Sequence, residues 1–440
     1  MSTSTPVAQS AEQFTFKSLV LPFYLPGFLA ALGVGIAVPL LPLYAESFNN
    51  SGALAGIIVG MYGLGSLAAN IPAGALSSIM GDRWTMLLSV GLQVAGAAGA
   101  TFAPTPFVLG ASVFVLGASQ AIMFVSRLSF FRRLVPGSHR GRALALVGGE
   151  YRLGSSIGPV IGGFIAGSAG YPETFAGLAL LSAAVLFISV LWVPRAGLLA
   201  RKSGSAVAAD GVPPAGAVPA GAVPAAAVPA GAPVTLAKIV SGILGGFRGN
   251  GKTFATAGLA IIMLQLVRSG RSVVLPLWGK TIGLSVEQVG ITVGIMFMVE
   301  MLIFLPAELI MDRFGRKWSA VPCLMILAVS MALLPLSHTW AVYILLASLT
   351  GVGNGLGSGI NMTLSTDFAP RENPGSFIGA WRFVVDGGTA GGPFIVGAVK
   401  ALASLSLTGI TIGAFSLFGA LVMLFGVKET RKGREVAKSD

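Results

Sequence analysis

Eight ionisable residues stand inside long apolar stretches of this chain: Arg127, Glu150, Arg152, Arg268, Arg271, Glu300, Arg382 and Asp386. At the centre of a membrane helix a charge costs about 2.5–3.5 kcal/mol on insertion scales, so charges kept there are candidates for binding or proton transfer. Arg268 and Arg271 lie three residues apart and share one helix face. Arg382 and Asp386 are four apart and could pair with each other. Asp386 or Glu300 is the expected proton carrier, and each could equally serve as the counter-ion of an arginine. Glu150 and Arg152 are read as coupling groups or as structural charges paired with a neighbouring helix. Arg127, near the end of its stretch, can snorkel toward water. Gln120, Gln265 and Asn354 add polar positions that would hydrogen-bond either a ligand or another helix. Five basic groups against three acidic ones would suit an anionic or amphiphilic solute better than a multiply charged cation.

The elements that carry these residues are set by composition. Of the 440 residues 54% are hydrophobic and only 10% charged, too few charges for a water-soluble surface. Apolar runs of membrane-spanning length are read at 19–44, 53–76, 85–104, 106–130, 143–168 and 174–194, then at 254–278, 287–310, 319–337, 340–363, 377–400 and 406–426. The expectation is an all-α membrane protein of twelve transmembrane helices. Arg83, Arg132, Arg133, Arg140, Arg142, Arg313, Arg316, Lys317, Arg371 and the tail from Lys428 fall on one side, Lys280 and Lys400 on the other. The positive-inside rule then places both termini in the cytoplasm of a cell-membrane protein. The net charge of +12 comes from these loops and not from a nucleic-acid-binding face. One cysteine (Cys323) and two histidines (His139, His338) make a protein-built zinc site an unlikely expectation.

Shifting the chain by 234 positions lays its second part on its first without a gap. Pro42-Leu43-Tyr44 meets Pro276-Leu277-Trp278, Gly117 meets Gly351, and Gly154, Gly158 and Pro159 meet Gly388, Gly392 and Pro393. Arg268, Arg271 and Glu300 meet Val34, Ala37 and Ser66, so these charges are not a requirement of the repeat. Two similar six-helix bundles, 17–194 and 254–426, with a pathway between them are expected. Tails at 1–16 and 427–440 and a Pro/Ala-rich connector at 195–253 complete the organisation. Within that connector Gly246 to Thr253 satisfies a phosphate-loop pattern, but without the strand and soluble helix such a loop needs, so no ATP binding is expected.

The loop Asp312-Arg313-Phe314-Gly315-Arg316-Lys317 resembles the loop signature of the major facilitator superfamily, with a weaker first copy from Gly74 to Arg83. The resemblance implies a cytoplasmic gate in which these residues tie helices together. Glu308 stands where the signature has its leading Gly, and Ser78 where it has an Asp. Gly154-x-x-x-Gly158-Pro159-x-x-Gly162-Gly163 is similar to the fifth-helix motif of the family's twelve-helix drug:proton antiporters, which implies export driven by a proton gradient, without a cofactor. Val113 replaces the Arg expected on the fourth helix of that group. The implied partners are a small amphiphilic solute, or in the alternative an organic anion or lipid-like metabolite, and the bilayer, with the protein working as a monomer. A transporter is expected, with a non-transporting receptor or scaffold as the remaining alternative, and not an enzyme, since no nucleophile–base set is visible.

Overall fold

The computed structural model describes residues 19–48, 52–135, 137–193 and 236–430, apart from 371 and 373. The tail at 1–16, most of the Pro/Ala-rich connector, Arg371 and the end of the chain lie outside them, as do the side chains of Arg132, Arg133 and Arg140.

Twelve long helical segments account for nearly everything described, and no strand occurs among the described residues. The first six are α1 (Val20–Glu46), α2 (Gly52–Met80), α3 (Asp82–Thr101), α4 (Pro106–Leu134), α5 (Gly137–Ser168) and α6 (Tyr171–Trp192). The second six are α7 (Gly251–Thr281), α8 (Val286–Phe314), α9 (Lys317–Leu336), α10 (Trp340–Asp367), α11 (Pro374–Leu402) and α12 (Leu405–Gly426). Among the described residues nine helices are long and apolar enough to cross a membrane by length and composition alone. The others are α3, α5 and α11, and the last two carry Glu150, Arg152, Arg382 and Asp386.

The 234-residue offset extends from residue types to element starts. It maps the first residues of α2, α4 and α6 onto those of α8, α10 and α12. Caps repeat too. Thr105 accepts from the Val108 amide at 3.4 Å to start α4, and its equivalent Thr339 accepts from Val342 at 3.4 Å to start α10. A side-chain oxygen at this position satisfies an amide that the first turn leaves open.

Each bundle packs by the same plan. α1 lies on α5 as α7 lies on α11, α2 on α4 as α8 on α10, and α3 on α6 as α9 on α12. The bundles meet along two seams, α2–α11 and α5–α8. Backbones touch at both. A Cβ added to Gly290 would fall 3.0 Å from the Gly163 Cα, and one added to Gly56 would fall 2.5 Å from the Gly397 Cα. These contacts are equivalent under the repeat, and only glycine permits them.

Two helices are broken where their equivalents are not. α1 turns at 38–40, beside Pro39, and α10 turns at 357–359 within Gly-Ser-Gly. The second break frees carbonyls inside the protein, where a donor must satisfy them.

One stretch departs from the expected connector. Leu236–Phe247 forms a helix, and α7 begins at Gly251. Ile243, Leu244 and Phe247 recur at helical spacing along the Leu236–Phe247 helix. Phe247 packs against Phe254 with ring centres 4.5 Å apart and planes tilted by 48°, and the Gly246 backbone lies against Ser376 of α11.

Candidate functional site between the bundles

A cavity of about 390 Å³ opens between the two bundles. Both bundles contribute to it, through α1, α2, α4 and α5 from the first and α7, α8, α10 and α11 from the second. Gln120, Arg127, Arg152, Gln265, Arg268, Arg271, Glu300, Asn354, Arg382 and Asp386, scattered over more than 260 positions, line it together. Glu150 is behind the wall and reaches the cavity through Arg127, to which it is ion-paired.

Three carboxylates are each held by an arginine. Arg271 donates to Glu300 at 2.8 Å, with the Phe297 ring centre 5.7 Å from its guanidinium carbon. Arg382 donates to Asp386 at 2.9 Å along α11. Arg127 pairs with Glu150 and also donates to the Phe23 carbonyl at 3.2 Å. Gly27 of α1 is needed here because a Cβ would overlap the Arg127 guanidinium.

The other two arginines have no carboxylate at ion-pair distance among the described residues. Arg268 uses the break in α10. It donates to the Gly357 carbonyl at 2.7 Å and to Gln265 Oε1 at 3.2 Å, while its Nε has no partner. Beside it Asn354 is 3% exposed and its Oδ1 is also unsatisfied. Buried polar atoms normally find partners, so this corner holds unspent hydrogen-bonding capacity. Arg152 donates to the Gly148 carbonyl at 3.4 Å, and its guanidinium carbon lies 3.7 Å from the Phe304 ring centre on α8.

Two contacts in the cavity join the bundles and are equivalent under the repeat. Asn70 of α2 donates to Asp386 of α11 at 2.9 Å. The corresponding pair is Phe304 of α8 with Arg152 of α5. Sequence reasoning passed over Asn70 and Phe304. Asn70 had a signal, a lone amide in an apolar helix, but Phe304 looks like any lipid-facing aromatic.

The cavity reaches toward the side where the α6–α7 connection and both described ends lie, here called the terminal side. The opposite, distal side is closed. Glu46 at the end of α1 accepts from Lys280 of α7 at 3.0 Å and from Lys400 of α11. Glu46 and Lys280 are themselves equivalent positions in the repeat. The site search from sequence missed Glu46 because it sits at a helix end, where charge is ordinary.

The loop motifs do something narrower than the expected gate. Gly81 and Gly315 both have positive φ, at 81° and 113°, and make the turns after α2 and α8. Arg83 then donates to the Val190 carbonyl near the end of α6 at 2.8 Å, and the equivalent Lys317 to the Leu424 carbonyl near the end of α12 at 2.8 Å. A cation over a helix C-terminus meets its unsatisfied carbonyls and its dipole. Arg316 pairs with Asp367 at the end of α10 at 2.7 Å, and the Arg316 and Lys317 amides donate to Glu429 at 2.9 and 3.0 Å. Every one of these bonds stays within a bundle. In this conformation the loops tie each bundle to itself, because the terminal side is where the bundles stand apart; Asp312 and Arg313 are exposed there. Gly74 faces open space.

The fifth-helix motif is a packing device. Gly154, Gly158 and Gly162 face α1; a Cβ on Gly158 would fall 2.6 Å from the Gly35 Cα. Gly163 faces α8 instead. On α11 Gly388 and Gly392 press on α7, and Pro159 and Pro393 sit inside their helices at equivalent positions.

Two six-helix bundles related by an internal repeat, with a charged cavity between them, define a membrane transporter. The family model described as Major Facilitator Superfamily matches residues 23–257 and again 257–440, and the chain belongs to that family. An uncharacterised transporter of Methanocaldococcus jannaschii is 23% identical over 81% of this chain and 83% of its own length. The multidrug efflux pump LfrA of Mycolicibacterium smegmatis is 33% identical, over 32% of this chain and 28% of the pump. The quinolone resistance protein NorA of Staphylococcus aureus is 25% identical over 38% of the chain and 44% of that protein. Among solved structures the nucleoside transporter NupG superposes with a TM-score of 0.69 at 14% identity, covering 94% of this chain and 99% of NupG. The human organic anion transporter MFSD10 gives 0.61 at 16% identity over 92% of this chain and 99% of that one.

Proposed function

We propose that this protein is a secondary active transporter that works by alternating access and uses a proton gradient to export small amphiphilic compounds bearing an anionic group. The observation that carries the reading is the charge balance of the cavity. Three of its five arginines are neutralised by Glu150, Glu300 and Asp386, which leaves Arg152 and Arg268 without a carboxylate. An anionic group beside Arg268 would engage its free Nε. Val34, Val59, Phe124, Leu275, Val293 and Met296 supply an apolar lining for the rest of the molecule. The fifth-helix motif and the partial likeness to multidrug efflux pumps favour the outward direction.

The coupling group in this reading is Asp386. It accepts from Asn70 across a bundle seam, so a proton on its carboxylate would weaken a contact that joins the bundles and would free Arg382. Glu300, held by Arg271 alone among side chains, is the second candidate. The terminal side is cytoplasmic in this scheme: among the described residues Arg83, Arg142, Arg313, Arg316 and Lys317 lie there, against Lys280 and Lys400 distally. The membrane is the cell membrane, and one copy contains the whole pathway, so a monomer suffices.

Purified protein in proteoliposomes under an imposed pH gradient tests the reading. Anionic amphiphiles should evoke proton flux that Asp386→Asn abolishes and Arg268→Ala reduces. Flux evoked by cationic amphiphiles alone would overturn the substrate class. Substrate movement that ignores the pH gradient would overturn the coupling.

A further inference from the structure

Arg152 rests on α8, a helix of the opposite bundle, at one position of a ladder. Glu300, Phe304 and Glu308 follow each other at four-residue steps, so they lie along neighbouring turns of one side of α8. The Arg152 guanidinium covers the middle rung. Both carboxylates act electrostatically on it, yet neither stands at ion-pair distance. Glu300 on the inner rung is occupied by Arg271. Glu308 on the terminal-side rung is only partly exposed and makes no hydrogen bond or ion pair among the described residues. Its carboxylate lies over Gly359, at the break in α10, where a Cβ would overlap it. Among the described residues the other charge acting on it from nearby is Asp312, one turn further along α8, which is of like sign.

An unpaired carboxylate and an unpaired arginine thus sit one turn apart, on opposite sides of the α5–α8 seam. That seam must shift when the bundles rock. The equivalent seam is already bonded here, through Asn70 and Asp386.

We infer that Glu308 is a positioning residue for the transport cycle: when the terminal side closes, Arg152 leaves the Phe304 ring and pairs with Glu308, which holds that side shut while the distal side is open. The phenyl ring acts as a waiting position. It keeps the guanidinium desolvated and aligned at the cost of a weak interaction that is readily given up. Pairing then neutralises one of the two excess positive charges, which lowers the cavity's hold on an anion in the state that must release it. This inference rests on the alternating-access reading proposed above.

The test is a distance measurement across the terminal side. Spin labels are placed at Trp84 and Trp318, exposed repeat equivalents at the starts of α3 and α9, in a Cys323→Ser background. The parent protein should show a short and a long population. Glu308→Gln should deplete the short one about fivefold, Glu308→Asp should partly restore it, and the double change Arg152→Glu with Glu308→Arg should recover it better than either single change. In Glu308→Gln, substrate turnover should fall with the short population while substrate binding to the terminal-open state stays within about twofold. Two populations that Glu308→Gln leaves unchanged would overturn the role of Glu308 and spare alternating access. A single population under every condition would overturn both.

Discussion

The first bundle and the second share a skeleton and differ in charge. Where they agree, the residues are those that set backbone geometry: Gly158 and Gly392, Pro159 and Pro393, the caps Thr105 and Thr339, and the cations Arg83 and Lys317 over helix ends. Where they disagree, the second bundle carries more of the chemistry, although Arg127 and Glu150 of the first stand opposite Asn361 and Val384. Val34, Ala37, Ser66, Gly148 and Gly74 stand opposite Arg268, Arg271, Glu300, Arg382 and Glu308. The break in α10 belongs to the same asymmetry, since its freed carbonyls receive Arg268. α4, which places no arginine from α1 against it at that level, runs unbroken. The first bundle is closer to a frame, and the second to a machine mounted on it.

The sharpest way to break this contrast is at Arg268. Truncating one member of a desolvated ionic contact costs about 2–5 kcal/mol, so Arg268→Ala should lower kcat/KM for an anionic amphiphile by about 30-fold or more. Val34→Ala, at the equivalent cavity position, should change it by less than about threefold in the same flux assay. If both positions matter equally, the division of labour is wrong.

Next in size are the shared seams. Gly163→Val and Gly397→Val each push a side chain into the facing glycine, and overpacking of this kind costs about 1–3 kcal/mol. Thermal unfolding in detergent should show similar losses for the two, because they occupy equivalent places. A large difference between them would mean the two seams are not equivalent in energy.

The distal latch should matter less. Lys280 is half exposed, and solvent-screened pairs are worth little. Glu46→Gln should raise the distal-open population about threefold at low salt, read by labelling of a cysteine placed at Val59 with a membrane-impermeant thiol reagent added on the distal side, with the effect shrinking as ionic strength rises. Smallest of all are the helix-end cations. Arg83→Gln and Lys317→Gln should each lower stability by about 0.3–1 kcal/mol, to the same extent.

Much of this architecture was legible in the chain. The twelve apolar runs and the constant offset led to the helices and their two-bundle arrangement, since bilayer thickness fixes span length and a repeated sequence implies a repeated fold. The cavity charges were legible as a set because charge inside an apolar run is conspicuous. Their partners were not. The pairing of Arg271 with Glu300 and of Arg127 with Glu150 depends on which helix faces lie opposite, and periodicity within one helix says nothing about its neighbour. Arg382 with Asp386 was readable because one helix holds both. The break in α10 went unread although Gly355, Gly357 and Gly359 announce it, because small residues in a membrane helix usually mean packing. The gate expected of Asp312 to Lys317 was read from a resemblance, and the bonds observed for Arg316 and Lys317 stay within the second bundle.

Glu46 and Lys280 sit at the same place in the two repeats and bond to each other across the axis that relates them. Had the two bundles been separate, identical chains, that place would have met its own copy. Two glutamates would have repelled there, as would two lysines. An attractive pair between equivalent positions requires that the two halves differ there. The bond therefore belongs to the joined chain and not to the repeat. The Glu46–Lys400 pair joins positions that are not equivalent, so of the two distal bonds only Glu46–Lys280 depends on the halves having become different.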